Sequence, residues 1–431
     1  MHDRASAAID VRIPDALLPA AIRTLPVPAL VPVRTRRDMA ALDDPRACVS
    51  EALGARLDED GASDLRGQRV GLGLGSRGLG AYPELVAGAL DALRARGAEP
   101  VLLPAMGSHG GGTPEGQTAV LRDYDLLQDG VTVDASDATR EVDRLDDGTP
   151  LHASEVALGL DRIVLLNRVT SHTSFRGPIE SGLAKMLVVG LGKRAGAAAL
   201  HARGYEGFVE RLVAARDRLL DVYPRPTFVA VVEDAGGRPA QVEALLGREI
   251  VQREPQLLRD ARRRMARLPF AKLDLLVVER AGKDVSGLGM SPNVTGRHPV
   301  GDRTPPDPTR IALLSLSDAS EGNANGMGLA DVVPRSFADR IDPVATWTNV
   351  VTSTSLAAAR LPVVVPTRAD AVRLALATCG AVPADARIAW IDDTGHLDAY
   401  RVSPAALVSL PEDGTALEVT GPAAPAPLEV P

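Results

Sequence analysis

Four side chains in this 431-residue sequence stand where proton transfer or ligand attachment could take place. His109 follows the apolar run VLLPAMGS, and His172 follows IVLLNRVTS. A glycine-bearing loop comes next, at once for His109 and after four intervening residues for His172. A buried strand ending in such a loop delivers side chains to the carboxyl edge of a parallel sheet, where helix amino-termini converge and ligands bind. An imidazole at that edge exchanges protons near neutrality. Two of them on neighbouring strands could address opposite sides of one substrate carbon. The same positions also suit histidines that cap a helix or anchor a loop.

The other two are Lys185 and His201, within HTSFRGPIESGLAKMLVVGLGKRAGAAALHARG, which runs from His172 to Gly204. Lys185 lies in the apolar context SGLAKMLVVG, so its amine either reaches out to water or meets a ligand. His201 follows sixteen residues later, too far for a helical pair and unlike any short metal-ligand spacing. Cooperation between the two requires the fold to join them across VGLGKRAG. Upstream, GLGLGSRGLG carries Gly71, Gly73, Gly75 and Gly78, which suit tight turning and backbone approach to an anion. A dinucleotide site is disfavoured, because VLLPAMGSH ends in glycine, serine and histidine where an acidic residue would take a ribose. Phosphate or carboxylate binding at Gly75 and Ser76, assisted by Arg77, is the functional expectation; a structural turn is the alternative. In the C-terminal part, Lys283 and Asp284 open a glycine-bearing loop that ends at Arg297 and His298, and Glu321, Asn323 and Asn325 share another. Both loops suit the wall of a cleft, although turn chemistry explains their glycines and asparagines equally well. Asp392, Asp393 and His396 read as a solvated turn.

These residues need a frame, and the apolar patterning supplies one. RVGLGLGSRG, AYPELVAGALDALRARGAEP and VLLPAMGSHGG read as strand, helix and strand, the β-α-β unit of a parallel sheet. TPEGQTAVLRDY starts a helix, with Thr113 as cap and Pro114 at its first position. RIVLLNRVTSH reads as a strand, Glu180–Met186 and Tyr205–Tyr223 as helices, PTFVAVVED as a strand, and Ala235–Met265 as mostly helical and solvent-facing. A second α/β region begins at LDLLVVERAGK and continues through strands at RIALLSLS, RLPVVV and ARIAWID. The proline-rich tail GPAAPAPLEVP reads as loose. The expected architecture is two α/β lobes, residues 1–260 and 261–431, with the site in a cleft between them.

Composition narrows the function classes. A hydrophobic content of 45% supports a large packed core, while 3% aromatic residues and a net charge of -8 disfavour nucleic-acid binding. Two cysteines, Cys48 and Cys379, form no thiolate motif. The sequence has neither an apolar run of membrane-spanning length nor the apolar core of a secretory signal at its beginning, so a cytoplasmic location without membrane attachment is expected.

PAMGSHGGGTPEGQ, NRVTSHTSFRGPIESGLAKMLVVGLGKRAGA and KDVSGLGMSPNVTGR together resemble the lactate-racemase-like family, over roughly residues 60–400. The resemblance implies two α/β lobes and racemisation or epimerisation of a 2-hydroxy acid, such as a sugar acid, by reversible hydride transfer to a nickel-pincer nucleotide. It implies Lys185 as the thioamide attachment point, His201 as the nickel ligand, and His109 and His172 as the acid–base pair. Arg77 would lie near substrate or cofactor phosphate, and Lys283 near the substrate carboxylate. Cofactor-biosynthesis proteins of the host become the implied partners. The GSRGLGAY loop and the thirteen-residue step from His172 to Lys185 depart from the lactate enzyme, which implies a different substrate side chain. Two other classes compete: a hydrolase or lyase holding zinc or manganese directly on His109, His172 and His201, and a noncatalytic small-molecule-binding protein.

Overall fold

The computed structural model describes residues 11, 13–14, 16–35, 40–76, 78–299, 303–353, 355–410 and 417–429. The chain divides into two compact α/β units, Asp38–Met265 and the combination of Met1–Arg37 with Ala266–Pro431.

In the first unit, six strands lie in the order Thr132–Val133, Glu99–Pro104, Arg69–Leu74, Arg162–Arg168, Thr227–Glu233 and Pro239–Leu246. All neighbours are parallel except the last pair. Both faces of the sheet are covered, which explains the near-continuous apolar strand sequences. Leu72, Leu74, Leu102, Val164 and Leu166 belong to one buried cluster, together with Val49 and Leu53 of helix Pro45–Glu59 and Leu85 and Ala89 of helix Tyr82–Arg94. Leu103, Ile163, Leu165 and Phe228 belong to the opposite cluster, with residues of helices Phe208–Val222 and Ile250–Arg264. The glycines of RVGLGL obey this alternation. A Cβ on Gly71 would lie 2.6 Å from Leu103, and one on Gly73 2.3 Å from Leu165. Gly71 and Gly73 are therefore strand residues cleared for neighbouring leucines, not parts of an anion-binding loop.

Thr113 caps its helix by accepting the Gly116 amide at 3.1 Å, with Pro114 at the first position. Ala235–Met265 departs from expectation. Its first part is the antiparallel edge strand Pro239–Leu246, and helix Ile250–Arg264 buries Ile250, Glu254, Leu257, Leu258 and Ala261. Spaced by four, three, one and three residues, these five form a helical stripe that packs against the sheet.

The second unit carries eight strands in the order Val363–Val365, Val332–Pro334, Arg310–Leu316, Leu275–Ala281, Ile388–Ile391, Ala399–Val402, Val31–Thr35 and Leu417–Val419. The first five are parallel and the rest antiparallel. Val31–Thr35 thus lies between two C-terminal strands, so a lobe of residues 1–260 would remove an interior strand from this sheet. The tail is also held: Leu30 and Ala424 bond reciprocally at 2.8 and 2.9 Å, and Ala426 and Leu428 pack on a buried cluster.

Candidate functional site

Three adjacent parallel strands, Glu99–Pro104, Arg69–Leu74 and Arg162–Arg168, run at their carboxyl ends into the segments bearing His109, Ser76 and His172. Ser76 Oγ and His109 Nδ1 are hydrogen-bonded. Gly75 is used internally, since its amide donates to the Tyr82 hydroxyl at 2.9 Å and its carbonyl accepts from the same hydroxyl at 3.2 Å. The expected presentation of this amide to an anion is thereby replaced by a bond to the phenol. Arg77 lies outside the described residues.

The His172 loop is organised by Glu180, whose carboxylate is buried. It accepts the His172 amide at 2.6 Å and the Gly177 amide at 3.2 Å, and pairs with Arg262 from helix Ile250–Arg264. The Ser174 amide donates to His172 Nδ1 at 3.0 Å, which puts the proton of the neutral ring on Nε2. The ring stacks on Phe175, with centroids 4.2 Å apart and planes 25° apart.

The next segment forms one helical turn at Leu183–Lys185, a π turn at Met186–Gly190 and a helix at Lys193–His201. The helix expected at Glu180–Met186 is thus shorter at its start, because Glu180 is spent on the loop. Lys185 Nζ stands 5.8 Å from the centre of the Phe175 ring. Phe175 packs on Phe208 at 4.8 Å, and Phe208 on His201 at 4.9 Å. Tyr205 closes the group, 6.5 Å from His172 and 6.2 Å from His201 by ring centres. In a chain with only five phenylalanines and five tyrosines, this gathering brings Lys185, His172 and His201 around one aromatic cluster. His201 Nδ1 donates to the Ala197 carbonyl at 2.7 Å, which leaves the lone pair of the neutral ring on Nε2. Burial above all, with the Lys185 charge adding to it, holds His201 below the ordinary histidine range and keeps it neutral.

Two buried ionisable groups here escaped sequence reasoning. Glu254 accepts the Ala184 amide at 3.1 and 3.2 Å, and the Leu183 amide as well, at the start of the turn that bears Lys185. From the other side Asn167 donates to the Gly182 carbonyl at 2.9 Å. A Cβ on Gly182 would lie 2.2 Å from the Glu254 carboxylate, so the cap requires glycine there. Burial pushes Glu254 up to about 7. The sequence did hold a signal: Glu254 is the one carboxylate in the apolar stripe of its helix. Lys193, the second group, is buried at the head of the helix that ends in His201.

In the second unit, Lys283 Nζ donates to the Gly287 carbonyl and to Asn349 Oδ1, each at 2.6 Å. Asn325 also donates to Asn349 Oδ1. Of the turn residues Asp392 and His396 are exposed as expected, whereas Asp393 is buried, accepting from Arg280 at 2.7 Å and contacting His396 Nδ1 at 2.9 Å. Together with Glu279, Ser315 and Asp392 these residues line a cavity of about 510 Å³.

Among the described residues, no three His, Cys, Asp or Glu side chains gather so as to hold a metal ion between them. The three-histidine centre of a hydrolase or lyase is thus not assembled by His109, His172 and His201. No helix among the described residues is long and apolar enough to cross a membrane.

No family model and no curated protein matches the sequence. Solved structures do. A crystal structure of a protein from Thermotoga maritima is similar over 63% of this chain and 71% of its own, with a TM-score of 0.47 and 15% identity. The lactate racemase apoprotein from Thermoanaerobacterium thermosaccharolyticum is similar over 74% of this chain and 70% of its own, with a TM-score of 0.40 and 12% identity.

Proposed function

We propose that this protein is a 2-hydroxy acid racemase or epimerase that carries a nickel-pincer nucleotide on Lys185. The observation that supports it best is the gathering of Lys185, His201 and His172 around Phe175, Tyr205 and Phe208. The donor set fits the group. His201 is neutral, its Nδ1–H is anchored on a backbone carbonyl, and its Nε2 lone pair is the ligating kind. One imidazole is enough when the remaining donors belong to the cofactor, and nickel takes mixed nitrogen and soft sulfur ligands in planar geometry. When bound, the group would take hydride from the substrate carbon and return it.

The chain's own residues then handle protons and orientation. His109, with Nδ1 engaged by Ser76, holds or releases the 2-hydroxyl proton through Nε2. His172 presents Nε2–H to an oxygen of the substrate from a ring held by Ser174 and Phe175. The apolar ring cluster excludes water from the reacting carbon. Such an enzyme works in the cytoplasm, next to the proteins that make and load the cofactor.

The test is the intact mass of the protein purified from its native host under nonreducing conditions. An added mass of the nucleotide, placed on Lys185 by fragmentation and absent in Lys185→Ala, is the expected result. His109→Ala and His172→Ala should load normally yet lose at least about a hundredfold in racemisation of 2-hydroxy acids. An unmodified chain from a host that makes the cofactor would overturn the reading.

A further inference from the structure

Lys193 has no part in the chemistry proposed above, yet its placement is costly. Its side chain is 2% exposed, and its backbone has φ +53°, a region that residues with side chains rarely occupy. Burying an ammonium and holding that backbone both oppose folding unless something compensates. Nζ donates to the Pro104 carbonyl at 2.7 Å and to Gln117 Oε1 at 3.3 Å. Gln117, itself 1% exposed, turns its other end to the histidine loop. There Nε2 donates to the Gly107 carbonyl at 2.9 Å and to the His109 carbonyl at 3.3 Å. The direction of the amide is forced, because an ammonium only donates and carbonyls only accept. Gly107 also donates its amide to the Gly190 carbonyl at 3.2 Å, at the end of the π turn.

We propose that Lys193 and Gln117 form a buried strut that holds the His109 backbone in register with the helix carrying His201. Both are positioning residues. The bearing of the strut on turnover rests on the acid–base role given to His109, whereas the strut itself does not.

Two variants separate the links. Lys193→Met keeps most of the volume and removes the donor. Gln117→Glu keeps an acceptor for Lys193 but turns a carboxylate oxygen toward the Gly107 and His109 carbonyls, so it breaks the link to the loop without stranding the cation. In the full-length protein without substrate, amide exchange is followed over residues 105–112, and the His109 titration by NMR with His396 of the other unit as control. Both variants should raise loop exchange by about tenfold or more and shift the His109 titration, with His396 unmoved. Should Lys193→Met fail to fold, Gln117→Glu carries the test. A folded Gln117→Glu protein with unchanged loop exchange and an unchanged His109 titration overturns the strut. Racemisation by the loaded enzyme then separates the two readings. A displaced His109 with normal turnover would sink the acid–base role of His109 and leave the strut. Lost turnover with His109 undisturbed would sink the strut and leave the racemase.

Discussion

Glu254 trades hydration for two backbone amides, those of Leu183 and Ala184, and the exchange is incomplete, since its carboxyl is pushed from an ordinary 4.5 to about 7. Between those values the folded protein holds a proton that the unfolded chain has released. Stability contributed by this group is therefore full below pH 4.5 and declines as the pH rises to about 7, by on the order of 3 kcal/mol. Urea unfolding at a series of pH values should show that decline, and Glu254→Gln should flatten it; an equal slope in the variant would remove Glu254 as its source. Lys193 has the opposite sign. Burial lowers it from 10.5 to about 8, against the pull of Asp134 and Asp137. Between pH 8 and 10.5 the unfolded chain holds the extra proton, so stability should rise across that window. Lys193→Met should lose this rise, and persistence of the rise in that variant would assign it to another group.

At the scale of elements, the π turn Met186–Gly190 is where the Lys185 and His201 segments are joined and where the His109 loop rests. A Cβ on Gly190 would come 2.6 Å from the Ala105 carbonyl oxygen, a backbone atom that cannot swing away as a side chain can. Gly190→Ala should destabilise the protein by about 1–3 kcal/mol through overpacking, read as a lower urea midpoint at unchanged slope. A variant as stable as the parent would mean that the loop yields, and that the turn does not set its position.

At the scale of the molecule, the chain leaves one sheet after residue 35 and returns to it after residue 266, so the units are discontinuous in sequence. Residues 38–265 contain the whole six-stranded sheet and both of its covering clusters. That fragment should unfold cooperatively by itself. Residues 266–431 expressed alone lack Val31–Thr35, which hydrogen-bonds to strands on both sides, and should aggregate through the two exposed edges. Fusing residues 1–37 to that fragment should restore a soluble, cooperatively folding unit. If 266–431 is soluble and cooperative without them, the interior strand is dispensable.

Local features could be read from the sequence because they depend on local physics. RVGLGLG, VLLP and RIVLLNR are strands by composition, Thr113 and Pro114 start a helix by their own stereochemistry, and a histidine after a buried strand reaches a sheet edge in any parallel α/β fold. Within RVGLGLG, Gly71 and Gly73 also suited tight turning near an anion, because a missing side chain has the same spelling whether it frees a turn or makes room for a neighbour. Only the register of Gly71 with Val101 and of Gly73 with Leu103 and Leu165 decided between the two. The antiparallel edge strand Pro239–Leu246 was missed for a related reason, since its identity comes from the strand it pairs with. The sixteen residues between Lys185 and His201 left their spatial relation open; Lys185 beside Phe175, Phe175 on Phe208 and Phe208 on His201 bring the two segments to one ring cluster. Glu254 against Gly182, Lys193 against Pro104 and Val31 against Val402 lie tens to hundreds of residues apart in the chain. Apolar periodicity says which face of an element is buried, but not what it is buried against, and those partners are a property of the tertiary structure alone.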